Sequence, residues 1–186
     1  MSRPTKRQRT GDYRIFVGAF PEGELAEQLQ ALREQYDPVT AGISPPHVTL
    51  AGTYWREGAA TAENEERLIE RLYGLQTHLQ PFELILGGIR RFGNRVVYLG
   101  VRSTEELLQA RAVLTRLIGR DKHRRFTPHL TLAMRLSPQE MDAMVQELQQ
   151  TEWESERYTT PIRELHLMQR GPDDPAWRSI ARLPLS

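Results

Sequence analysis

The pentapeptide Pro46-His47-Val48-Thr49-Leu50 returns about 80 residues later as Pro128-His129-Leu130-Thr131-Leu132, and the chain around the two copies follows one plan twice. Residues 13–20 are rich in β-branched and aromatic side chains and read as a buried strand ended by Pro21. Residues 24–36 then place Leu25, Leu29 and Leu32 at helical spacing. Asp37-Pro38 stops that helix, because a residue before proline avoids the α region. A loop leads to a short strand over 47–50. The second half restarts with an apolar strand over 96–101 and a helix capped by Ser103 or Thr104, with Leu107, Leu108, Val113, Leu114 and Leu117 as its apolar face. A basic loop and a strand over 129–132 follow.

The correspondence continues beyond each motif. A helix over 61–79 leads to a strand over 82–86. A helix capped by Ser137, with Pro138 and Glu140 in its first turn, runs to about Gln150 and leads to a strand over 162–168. A last strand over 177–185 closes the chain. The reading is α+β: two pseudo-symmetric β-α-β-α-β lobes with mostly antiparallel sheets around a central groove. Gly93-Asn94 is the turn of a hairpin between residues 82–92 and 95–101. Residues 13–186 form one bilobal domain.

Composition narrows the chemistry. With 25 Lys+Arg against 24 Asp+Glu, no global basic field is available to hold duplex nucleic acid, so phosphate-binding charge has to be local. The absence of cysteine excludes disulfides, thiolate catalysis and cysteine-based zinc sites, and suits a reducing, cytoplasmic setting. No apolar run reaches membrane-spanning length. Residues 1–12 read as a disordered, solvated basic tail, with an RNA-touching arm or a localisation signal as alternatives.

Alternation along a strand puts His47 and Thr49 on one face and Val48 and Leu50 on the other, and the same holds for His129 and Thr131 against Leu130 and Leu132. The apolar residues anchor; the polar pairs are presented to the groove. Packing alone asks for the Val and Leu positions, not for His and Thr twice. Two imidazoles and two hydroxyls suit phosphodiester cleavage: one neutral histidine takes a proton from water, one protonated histidine gives a proton to the leaving oxygen, and the hydroxyls bond the phosphate oxygens. A metal needs three or more convergent ligands and the motifs offer two, so neither metal nor cofactor is expected.

Arg125, in the run Arg120-Asp121-Lys122-His123-Arg124-Arg125, is placed to hold substrate phosphate, and Arg90, Arg91 and Arg95 invite the same reading. Tyr54 is placed to stack a base. Trp153 and Trp177 read as packing, and His166 as a structural histidine.

At the two motifs the chain resembles the 2H phosphoesterase superfamily, which includes the LigT-type 2'-5' RNA ligases and cyclic phosphodiesterases. Residues 126–133 are close to the family's second motif, and residues 165–185 resemble its C-terminal strands. The stretch from Tyr36 to His47 is nearer the YjcG-like branch. The resemblance implies a two-lobed antiparallel fold, metal-independent chemistry on 2',3'-cyclic or 2'-5'-linked phosphates of RNA ends or small nucleotides, and His129 as base with His47 as acid. A nucleotide- or RNA-binding module without turnover, and 2'-5' ligation by the reverse reaction, are the alternatives.

Overall fold

A computed structural model describes residues 11–186; the basic run expected as a tail lies outside them except for its last two residues. Those two belong to the folded body. The Asp12 amide donates to the Arg56 carbonyl at 2.6 Å, and its carboxylate accepts from the Gly58 amide.

The strands are β1 (Tyr13–Ala19), β2 (Val48–Arg56), β3 (Phe82–Phe92), β4 (Val96–Val101), β5 (His129–Ala133), β6 (Tyr158–Ile162), β7 (Glu164–Arg170) and β8 (Arg178–Pro184). They form one antiparallel sheet of eight in the order β6-β3-β4-β5-β2-β1-β7-β8. The helices are α1 (Gly23–Tyr36), α2 (Pro38–Ile43), α3 (Glu66–Tyr73), α4 (Glu105–Ile118), α5 (Pro138–Leu148) and α6 (Glu152–Ser155). Among the described residues no helix is long and apolar enough to cross a membrane.

The duplication is visible in the sheet order. A pseudo-twofold axis between β2 and β5 exchanges β1 with β4 and β7 with β3. The lobes, however, are not the sequence halves. The third strand of each half crosses over: β3 pairs with β4, and β7 pairs with β1. Each lobe is therefore completed by the other half of the chain, which binds the two into one core.

Several expected elements differ in detail. Pro38 does not lead into a loop. It occupies the first turn of α2, whose N-cap Asp37 accepts from the Thr40 amide, so one residue both ends α1 and starts α2. The helix expected over 61–79 is α3 flanked by two 3-10 turns, Glu63–Glu65 and Gly74–Thr77. The strand expected over 162–168 is β7, beginning at Glu164, while Ile162 ends β6, a separate strand at the far edge of the sheet. On α4, Ala110 is buried with Leu107, Val113 and Leu114, whereas Leu108 is exposed. The i, i+3, i+7 stripe passes through 107, 110 and 114, and Leu108 falls off it. The Ser137–Glu140 capping box and the Gly93-Asn94 turn are present as expected.

The seam between β2 and β5 is narrow. Their recorded register is a single pair, Val48↔Leu130. Val48, Leu50, Leu130 and Leu132 are fully buried. Two arginines supply what the short ladder lacks. Arg33 on α1, only 1 % exposed, donates through Nε to the Thr131 carbonyl of β5 at 3.1 Å and through Nη1 to the Ser44 carbonyl at 2.7 Å. Arg111 on α4 donates to the Leu50 carbonyl of β2 at 2.7 Å. A carboxylate accompanies each arginine. Asp37 accepts from the Met134 and Arg135 amides beyond the second motif, both at 2.9 Å. Asp121 holds Arg111 at 2.8 and 3.0 Å and accepts from the Gly52 amide beyond the first motif. The helix of each half thus clamps the motif strand of the other, α1 on β5 and α4 on β2.

Burial works to raise the Asp37 carboxyl, but the Met134, Thr40 and Arg135 hydrogen bonds outweigh it and hold it below the usual carboxylate range. A carboxyl so depressed contributes stability above its unfolded value near 4 and loses it as pH falls through the folded value. Asp37→Asn should therefore cost about 2 kcal/mol at pH 7 in urea denaturation, with the gap to wild type closing below pH 4. A gap of the same size at pH 3 would contradict a role for the charge.

Candidate active site

The site follows from the register at the seam. Extending Val48↔Leu130 by one residue either way in an antiparallel pair sets His47 opposite Thr131 and Thr49 opposite His129. Each histidine faces the other motif's threonine. Directly opposed residues have Cβ atoms roughly 5 Å apart, so the register gathers the four polar side chains along one short stretch of the seam.

Both imidazoles are fixed in the same way. Nδ1 of His47 lies 2.8 Å from the Pro45 carbonyl, and Nδ1 of His129 lies 2.8 Å from the Thr127 carbonyl. A carbonyl only accepts, so each Nδ1 carries the proton and each Nε2 is left with its lone pair. Proline at 46 and at 128, each buried, holds the preceding residue extended and its carbonyl in place.

Aromatic rings wall each histidine. Phe16 on β1 stacks on His47 with centroids 4.8 Å apart, and Phe20 covers it at 5.2 Å. Tyr98 on β4 and Phe92 on β3 meet His129 edge-on at 5.2 and 4.9 Å. Trp177 packs edge-on against Phe16 at 4.7 Å, so its packing role supports the site from beneath. Gly52 closes the same corner: its φ is +136°, and a Cβ there would lie 2.6 Å from Cβ of Phe16.

Enclosure sets the charge state. Burial first, with Arg33 and His129 adding to it, pushes His47 down to about 4 despite its bond to Pro45. His129 is lowered as well, again by burial first, with nearby His123 contributing. At neutral pH both imidazoles are therefore neutral.

A cavity of about 360 Å³ opens on the His129 side. Thr49, His129 and Arg125 line it, together with Phe92, Phe126 and Gly52. His47 and Thr131 are not in its lining. Tyr54 is not in it either. Its hydroxyl donates to the Gly119 carbonyl at 2.7 Å, and the ring packs on the core. Arg90 pairs with Glu154 and Arg91 with Asp142, so both are committed within the protein. His166 bonds Glu164 and Ser179, and Trp153 packs on Tyr158. The residues that the motif reading passed over are Arg33, Asp37, Arg111, Asp121 and the ring pairs. The one local signal for them was Asp121, the lone carboxylate in a basic run.

The sequence profile of the 2'-5' RNA ligase superfamily matches residues 21–174. A Bacillus cereus protein named "Putative phosphoesterase" is 29% identical over 158 residues, covering 83% of this chain and 87% of its own. The apo structure of E. coli LigT superposes with a TM-score of 0.65 at 25% identity, covering 93% of this chain and 97% of that one. LigT complexed with 3'-AMP does so at 0.62 and 25%, covering 93% and 98%. The repeated His-x-Thr strands, the crossed register and these matches place the chain in the 2'-5' RNA ligase superfamily of 2H phosphoesterases.

Proposed function

We propose that the protein hydrolyses a 2',3'-cyclic phosphate or a 2'-5' phosphodiester, at RNA ends or in a small nucleotide, by acid–base catalysis between His47 and His129 without a metal. The observation that carries this reading is the crossed quartet with both Nδ1 atoms capped by carbonyls. Both Nε2 atoms are then free to exchange protons with a group held between Thr49 and Thr131.

Water attacks phosphorus as one Nε2 takes its proton, and the leaving ribose oxygen departs with the proton of the other. One P–O bond forms and one breaks. The two histidines end with their protonation states exchanged and reset through solvent. The threonine hydroxyls donate to the non-bridging oxygens, where charge develops. Because both imidazoles are neutral at neutral pH, the acid acquires its proton together with the anionic substrate, whose charge favours the imidazolium.

The resemblance assigns His129 as base and His47 as acid. The electrostatics of the site favour the reverse. His47 is the more deeply enclosed and is driven to about 4, so His129 holds a proton more readily. The LigT complex with 3'-AMP supports a nucleotide-sized substrate for this chain, since a 3'-phosphate is one product of opening a 2',3'-cyclic ring.

Nucleoside 2',3'-cyclic phosphates and 2'-5' dinucleotides, assayed with EDTA against 3'-5' controls, should turn over. His47→Ala and His129→Ala should each lose about 10³-fold in kcat, and Thr49→Val or Thr131→Val about 10²-fold. Activity abolished by chelator would overturn the metal-free scheme. Nucleotide binding that depends on both threonines, with no turnover, would favour a binding module. Nitrogen NMR of the imidazoles at pH 7 should show both as the Nδ1-protonated tautomer; an Nε2-protonated His47 or His129 would remove the free lone pair the scheme requires.

A further inference from the structure

The charge around the groove is lopsided. The whole chain carries a formal net charge of +1, yet the segment between α4 and β5 holds Arg120, Lys122, Arg124 and Arg125 against one carboxylate, Asp121. That carboxylate is spent inside the fold, on Arg111 and on the amides of Gly52 and His123. The four cations and His123 are all exposed, and among the described residues no ion pair is formed by any of them. On the other side His47 is covered by Phe16 and Phe20.

The segment is also held in place. Asp121 fixes it to α4 through Arg111 and to β2 through Gly52, and the Arg111 guanidinium lies 4.3 Å over the Phe126 ring. Between these anchors is a second, polar cavity of about 410 Å³ walled by Arg120, Lys122 and Arg124. It shares His123, Arg111 and Asp121 with the cavity that contains His129 and Thr49. The two spaces are adjoining, one built for the reacting phosphate and one lined with cations.

We infer that the substrate carries a second phosphate beyond the one cleaved, and that the Arg120–Arg125 segment binds it in this adjoining basic cavity. The inference rests on the phosphodiesterase reading of the His47–His129 site. Its chemical class is a nucleoside 2',3'-cyclic phosphate bearing a further phosphate, either a 5'-phosphate on the same nucleoside or the next internucleotide phosphate of an RNA strand. The contacts are exposed and charge-based, so the preference appears as a lower KM and weakens with salt.

The test compares adenosine 2',3'-cyclic phosphate, its 5'-phosphorylated form and a dinucleotide ending in a 2',3'-cyclic phosphate. The last two should show KM about tenfold lower than the first at low ionic strength, with the advantage shrinking as salt screens it. A gain limited to the dinucleotide assigns the subsite to an RNA strand; a gain shared by both assigns it to the phosphate alone. The double variant Lys122→Gln/Arg124→Gln should bring the KM ratio to near one, while the charge-matched Arg67→Gln/Arg71→Gln on α3 should retain it. Titrating adenosine 3'-monophosphate and adenosine 3',5'-bisphosphate reads the same subsite when no cyclic phosphate turns over, an outcome that would sink the activity and leave this inference to be judged by the affinity ratio. Equal affinities for the two, a ratio unchanged in the Lys122/Arg124 variant, or an equal collapse in the α3 control would each overturn it.

Discussion

Two arginines reaching across a seam hold this molecule in its working shape. The motif strands β2 and β5 share one recorded ladder position, Val48↔Leu130, which is too little to fix four side chains around a phosphate. Arg33 and Arg111 take the Thr131 and Leu50 carbonyls from the opposite halves, and Asp37 and Asp121 take the amides just beyond the motifs. A buried carbonyl without a partner is costly, so these bonds both stabilise the strands and limit how far the lobes can part. The strand exchange of β3 and β7 serves the same end at larger scale.

The duplication explains the symmetry of the chemistry, and the departures from symmetry explain its direction. Each motif brings a histidine with a capped Nδ1, a threonine for the other side and an aromatic neighbour on the adjoining strand, Phe16 or Tyr98. The surroundings then diverge. His47 is enclosed by parallel rings and strongly disfavours charge. His129 adjoins an open cavity rimmed by cations. In the proposed mechanism a substrate meets one side that rejects charge and another that attracts phosphate, and the two histidines differ in proton affinity.

Much of this was legible in the chain. The repeat located both motifs, and strand alternation assigned Val48, Leu50, Leu130 and Leu132 to the core, where they are buried; of the two His-Thr pairs, Thr49 and His129 line the cavity. Capping residues marked α4 and α5. What escaped depends on contacts distant in sequence. The exchange of β3 and β7 is a pairing choice that no local pattern encodes. Arg33 sits among Leu29 and Leu32 on α1 and reads as a solvated residue until β5 is placed beside it. Asp37 before Pro38 signals a helix end equally well whether a loop or another helix follows. Tyr54 carries the side chain that stacking needs, but the end of α4 lies within reach of its hydroxyl, which donates to the Gly119 carbonyl.

In the proposed mechanism two histidines, both lowered by burial, share one proton. Above both of their pKa values the acid is lost, and below both the base is lost. The pH profile of kcat/KM on a nucleoside 2',3'-cyclic phosphate reports these groups in the free enzyme, as values belonging to the pair. It should be a bell with its acidic limb near 4, the value to which His47 is pushed, and its other limb below the ordinary histidine value of 6.5. A kcat/KM still rising above pH 7 would contradict the claim.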